Sequence, residues 1–133
     1  MLAQLQFRDY HVINISYKFN PYNPEEEESL SPDFSYKIQK NEEDSKEAVV
    51  YLTFNIGDEM LRDSSIYVSV TIAGEFVVFG EEDEEQIDML YKVNAIAILY
   101  PYLRSIVSEI TSKGTSSPII LPTMNIAAMF NQE

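Results

Sequence analysis

The sequence has no cysteine and no tryptophan, a single histidine, and only nine Lys and Arg residues against 22 Asp and Glu. Without thiols there is neither a disulfide framework nor a thiolate metal site, and His11 alone cannot build a multi-histidine centre. No metal and no cofactor are expected. The sequence also lacks a phosphate-binding glycine loop, a nucleophile elbow and any serine or cysteine motif that His11 would activate, so it does not read as an enzyme. No run approaches the roughly 20 apolar residues that cross a bilayer. The nearest, Val93 to Leu103, is broken by Asn94 and Pro101. Met1 to Asp9 has neither a basic flank nor a continuous apolar stretch, so it does not read as a signal peptide, and a soluble, cytoplasmic chain is expected. The net charge of −13 repels phosphate backbones and anionic headgroups. Nucleic acid and membrane are therefore poor partners.

What is present suits one folded unit. The 133 residues are 45% apolar, enough for a single domain, 1–133, with its own core. Twelve of the 22 carboxylates fall in three runs, Glu25 to Glu28, Glu42 to Asp44 and Glu81 to Glu85, which separate apolar segments and read as solvated loops. None has the spaced ligands and central glycine of a calcium loop.

Period-two alternation predicts an antiparallel sheet over 1–80. Ala48, Val50, Leu52, Phe54 and Ile56 share one parity, as do Ile66, Val68, Val70 and Ile72, and as do Phe34, Tyr36 and Ile38. Gly74, inside the strand that continues to Phe79, suggests a bulge or bend. In the first strand Leu5 and Phe7 share parity with Ile13, Ile15, Tyr17 and Phe19, while Asp9 and His11 intrude; a bulge near Asp9 would restore the register. Short polar turns at Glu42 to Ser45 and Asp58 to Ser64 favour a meander with one apolar face.

That face needs a cover, and 84–113 supplies a long helix with an acidic first turn and a Lys113-Gly114 end that suits a glycine cap. Pro101 should kink or restart it. Apolar residues between Met89 and Leu103 wrap nearly the whole circumference. One face can sit on the sheet, and leaving the remaining large side chains in water would forgo roughly 1.5–3 kcal/mol each, so association of subunits through Val93, Ile96, Ala97, Leu99, Tyr100 and Leu103 is expected. Beyond it, 118–131 reads as an extended apolar segment and a short helix.

The residues 95–130 carry a resemblance. Tyr100-Pro101-Tyr102, Gly114-Thr115, Leu121-Pro122, Asn125 and Met129-Phe130, with Gly74 and Gly80 near the end of the fourth strand, resemble the SecB family of export chaperones. The order of four strands, long helix and short helix is also similar to that family's. The resemblance implies an α+β fold, a four-stranded antiparallel sheet backed by helices, assembled as a homotetramer of paired dimers. It implies binding of unfolded polypeptides and preproteins in an apolar groove, here Tyr22, Phe34, Tyr36, Ile38, Ile119, Leu121, Met124, Ile126, Met129 and Phe130. Methionine and aromatic side chains suit such a groove because they adapt to many shapes. The family's carboxylates that dock the SecA motor are replaced at the aligned positions by Asn14, Lys18 and Ser69, beside Tyr67, which weighs against SecA docking and leaves room for another duty, such as guarding an antitoxin. The alternative reading is an acidic immunity or mimic protein that blocks one basic partner.

Overall fold

Alternating apolar and polar side chains become four strands: β1 (Gln4–Phe19), β2 (Asp33–Lys40), β3 (Glu47–Gly57) and β4 (Ile66–Phe79). The computed structural model describes residues 4–22, 31–62, 64–80, 83–114 and 118–130, so the acidic run Glu25 to Glu28, Glu81, Glu82 and Thr115 lie outside the described residues. The strands form one antiparallel sheet in the order β1-β4-β3-β2. A meander therefore holds for β2 to β4 only. The first strand pairs with β4 rather than β2, and the connection after Phe19 joins the two edges of the sheet.

Register follows the apolar parity. Phe34, Phe54 and Val70 form one inward row and Tyr36, Leu52 and Ile72 the next, with Phe54, Leu52, Val70 and Ile72 fully buried. On the other face Thr53 and Thr71 stand opposite each other with their hydroxyls 2.8 Å apart. In β1 the register shifts twice, between Phe7 and Asp9 and again between Val12 and Asn14. The first is the expected bulge. It brings Tyr10 and Val12 opposite the inward residues Gly74 and Ile72; the second, not anticipated, then brings Ile15 and Tyr17 opposite Val70 and Val68.

β4 pairs continuously through Gly74, so the irregularity belongs to its neighbour. The glycine serves close packing instead. A Cβ at Gly74 would lie 2.6 Å from Leu99 Cδ2, and its absence lets the helical layer rest on the sheet.

That layer begins with α1 (Glu84–Met89), passes through a π-helical turn (Leu90–Ala95) and continues as α2 (Ile96–Gly114). Asp83 and Gln86 form a reciprocal capping box at the start, with backbone-to-side-chain bonds of 2.9 and 3.2 Å. Pro101 does not restart the helix; α2 runs through it, and the departure from α geometry falls upstream, at Leu90–Ala95. Ile96, Leu99, Leu103 and Val107 repeat at helical spacing and are fully buried against the sheet. A short α3 (Ile126–Phe130) ends the described chain.

Gly114 is the last residue of α2 and is not among the positive-φ glycines, which are Gly57 and Gly80. It is small for another reason. A Cβ there would meet Tyr17 Oη at 2.2 Å.

Candidate functional site

The C-terminal segment is seated by hydrogen bonds to α2 before any apolar contact is counted. Tyr100 Oη donates to the Pro122 carbonyl at 2.6 Å, Arg104 donates to Thr123 Oγ1 at 2.7 Å, and the Ile119 amide donates to Thr111 Oγ1 at 2.8 Å. Thr111 is fully buried and itself donates to the Val107 carbonyl. Burial pushes the Tyr100 phenol up, opposed by the Arg104 charge. The phenol thus keeps its proton and its donor role.

Held this way, the segment meets the inward face of β2. The Tyr36 and Phe130 rings lie 4.6 Å apart, and Phe34 packs on Phe54 at 5.4 Å and on Tyr100 at 6.0 Å. Eight of the ten residues expected to line a groove, Phe34, Tyr36, Ile38, Ile119, Leu121, Met124, Ile126 and Phe130, come together here. The groove is largely self-filled. Phe34, Leu121 and Ile126 are buried in the chain's own core and present almost no surface. Ile38, Ile119, Met124 and Phe130 keep part of theirs. Met129 is 41% exposed, and the unpredicted Ile120 is 75% exposed. Tyr22 stands apart in the turn after β1, 89% exposed.

The expected helix interface needs correction. Ile96, Leu99, Tyr100 and Leu103 are buried under their own sheet, because the register of α2 turns this stripe inward. Of the six only Val93 and Ala97 retain surface. Free apolar surface lies instead along the edge strand, where Val12, Ile13 and Ile15 are 44–55% exposed, and on the adjoining flank of α2, where Tyr102 stacks on Tyr10 at 4.5 Å yet stays partly exposed. Sequence reading missed this patch because it did not place β1 at an edge. The signal was the adjacent apolar pair Val12-Ile13, which breaks the alternation of the strand.

Asn14, Lys18, Tyr67 and Ser69 do share the outer face. Lys18 stands opposite Tyr67 and Ser16 opposite Ser69, and the lysine ammonium is 5.9 Å from the Tyr67 ring centroid. His11 lies on the same face, 2.8 Å from Glu75 and 3.9 Å from Asp9. Among the described residues no group of three or more His, Asp or Glu could hold a metal ion. An open cavity of about 880 Å³ borders Val49, Tyr51 and Val77; its cations Arg8, Lys40 and Lys46 are matched by Asp44, Glu47 and Glu75, so it favours neither sign of ligand.

A second cluster fixes the helical layer. Lys40 contacts Asp88 at 2.7 Å and Glu84 at 3.4 Å, chiefly through the Asp88 bond holding its ammonium above the usual range. Ser45 Oγ donates to Glu84, and the buried Tyr91 donates to the Ser45 carbonyl at 2.8 Å. Burial, reinforced by Asp44 and Asp88, drives the Tyr91 phenol well above its ordinary value.

Among the described residues no helix is long and apolar enough to cross a membrane. An open antiparallel sheet covered on one face by helices, with apolar surface at both edges, defines an α+β protein of the sheet-and-helix two-layer class. The profile of the SecB family, preprotein translocase subunit SecB, matches residues 3–133, and the chain belongs to that family. Its members are chaperones, not enzymes. Relatives include MJ0357 of Methanocaldococcus jannaschii, 30% identical over 94% of this chain and 81% of that protein. The protein-export protein SecB of Nitrosococcus oceani is 28% identical over 98% of this chain and 82% of its own length. Among solved structures, the Mycobacterium tuberculosis SecB-like chaperone Rv1957, in complex with a ChAD peptide from the HigA1 antitoxin, superposes with a TM-score of 0.70 over 90% of this chain and 87% of that one, at 17% identity.

Proposed function

We propose that this chain is an ATP-independent holdase that binds unfolded or slowly folding polypeptides in the cytoplasm, serving export or an aggregation-prone client such as an antitoxin. The observation that carries this reading is the apolar strip along β2 and the C-terminal segment. There partly exposed Ile38, Ile119, Met124, Met129 and Phe130 and the exposed Ile120 have no polar partner chemistry to satisfy. Such a surface selects for apolarity and extension rather than for a particular sequence. Family membership and the peptide-bound state of the Mycobacterium tuberculosis neighbour favour the same reading.

Self-association belongs to this proposal, as a dimer or a tetramer of paired dimers, with the interface moved to Val12, Ile13, Ile15 and Tyr102. SecA docking does not, because Asn14, Lys18 and Ser69 stand where carboxylates would be needed. The deciding experiment is thermal aggregation of a model client with and without the protein. Suppression at stoichiometric subunit ratios is expected; none at any ratio would overturn the reading. A single tight, salt-sensitive basic partner in its place would point to the acidic-mimic alternative.

A further inference from the structure

Sulfur in this chain is confined to methionine. With no cysteine and no tryptophan, the methionine thioethers are the groups that a mild two-electron oxidant attacks first. Four methionines fall among the described residues, and they differ in place and exposure. Met60, in the turn between β3 and β4, and Met89, on α1, are 64% and 51% exposed and are not residues of the β2 strip. Met124 and Met129 belong to the strip. Met124 is partly buried against the core, whereas Met129 is 41% exposed.

The short α3 fixes Met129 in that open position. Asn125 caps the helix, its carbonyl and its side-chain oxygen accepting from the Ala128 amide at 3.2 and 3.3 Å. Ile126 and Ala127 are each 1% exposed and anchor the turn to the core, and Phe130 brings its ring to within 4.6 Å of Tyr36. Met129 is left at the surface among apolar neighbours of the strip. Ile38, Ile119 and Ile120 there are inert to peroxide, so an oxidant changes the strip at methionine and leaves the rest of its apolar surface intact.

We propose that Met129 is an oxidation site that tunes the strip: a peroxide converts its thioether to the sulfoxide and lowers the affinity for polypeptide, and reduction restores it. This rests on the holdase reading. The sulfur lone pair attacks one peroxide oxygen, and the S–O bond forms as the O–O bond breaks. The departing hydroxide takes the proton of the transferred oxygen, so the products are a sulfoxide and water, with sulfur losing the two electrons that the peroxide gains. A dithiol reverses the step through a sulfoxide reductase, giving thioether, water and a disulfide. The sulfoxide oxygen is a hydrogen-bond acceptor, and an apolar client side chain pressed against it offers no donor. Binding about tenfold weaker is expected, toward the low end of the cost of a polar group desolvated without a partner.

The test reads the anisotropy of a fluorescently labelled peptide rich in Leu and Val and free of Met, Cys and Trp. The full chain is measured before and after hydrogen peroxide, with catalase removing the oxidant before the peptide is added. The unsubstituted chain is expected to show the tenfold loss with an unchanged circular dichroism spectrum, to carry an added oxygen on Met129 by mass spectrometry, and to recover after methionine sulfoxide reductases with dithiothreitol. Met129→Leu has similar volume and no sulfur; compared with its own untreated state, it should show no change on treatment. Met60→Leu and Met89→Leu should lose affinity on treatment as the unsubstituted chain does. The same loss in Met129→Leu would overturn the proposal, as would full affinity in a chain whose Met129 is oxidised. So would a loss accompanied by a collapsed spectrum, or a Met129 that stays unreacted while Met60 and Met89 are oxidised. If the untreated, unsubstituted chain does not bind the peptide, the holdase reading falls and this inference falls with it.

Discussion

At Gly114 a methyl group would sit 2.2 Å from the Tyr17 hydroxyl oxygen and 2.5 Å from its ring carbon Cζ, so two residues nearly a hundred positions apart constrain each other. Alanine is the better helix former by about 1 kcal/mol, yet the clash is with a rigid, partly buried ring rather than a flexible chain end, and the clash should win. Gly114→Ala is expected to lower the denaturant midpoint without changing the slope. Tyr17 Oη is itself buried with no hydrogen-bond partner among the described residues. Tyr17→Phe removes an unsatisfied polar atom, so a gain of about 1 kcal/mol in chemical denaturation is expected, the opposite sign from most core substitutions. Tyr91 and Tyr100 carry a pH dependence. Burial raises both phenols in the folded state, whereas the unfolded chain releases their protons near the ordinary value of 10.0. The folded state therefore binds more protons above that value. Stability from these groups is fully present below pH 10 and declines as pH rises beyond it. Denaturation followed from pH 8 to 11.5 should show this decline, and Tyr91→Phe should make it shallower while costing about 1 kcal/mol at neutral pH through loss of the bond to Ser45.

The elements differ in how plainly their residues announce them. β2, β3 and β4 were legible because each buries one face, so parity and burial coincide from Phe34 through Val78 except at Ser69 and Ala73, which are buried on the outer parity of β4. β1 was less so, because two bulges reset its parity and an edge position leaves Val12 and Ile15 apolar without being enclosed. The helix was legible in extent but not in orientation. With Met89 to Leu103 apolar nearly all round, sequence cannot tell which stripe meets the sheet, and Leu99 and Leu103 turned out to be core. Eight of the ten expected groove residues share one hydrophobic cluster, yet Leu121 and Ile126 were needed to finish the monomer's own core, something only a packed structure reveals. Pro101 offers a test at this scale. It is exposed, and α2 continues through it, so its replacement removes no packing and restores a donor to the helix. Pro101→Ala is expected to raise thermal stability by up to about 3 kcal/mol with unchanged helix content by circular dichroism. A loss of stability would mean that the proline shapes a contact with another molecule.

For the whole molecule, the question is which apolar surface one copy offers another. A charge placed at Leu99 cannot answer it, because that side chain is fully buried and its replacement would unfold the monomer along with any assembly. The edge strand separates the two effects. Ile15 is 44% exposed on β1, opposite the inward Val70, so a lysine there can reach water and should cost the isolated fold little. In a subunit interface the same lysine would be desolvated without a partner, and it would repel its symmetry mate across a twofold axis. Ile15→Lys is therefore expected to lower the mass measured by light scattering to that of a single chain while leaving the circular dichroism spectrum intact. Client peptides should still bind the dissociated chain, because the β2 strip lies at the opposite edge of the sheet. An unchanged oligomeric mass with a native spectrum would remove the β1 edge from the assembly, and a folded unsubstituted chain that is already monomeric would remove self-association altogether.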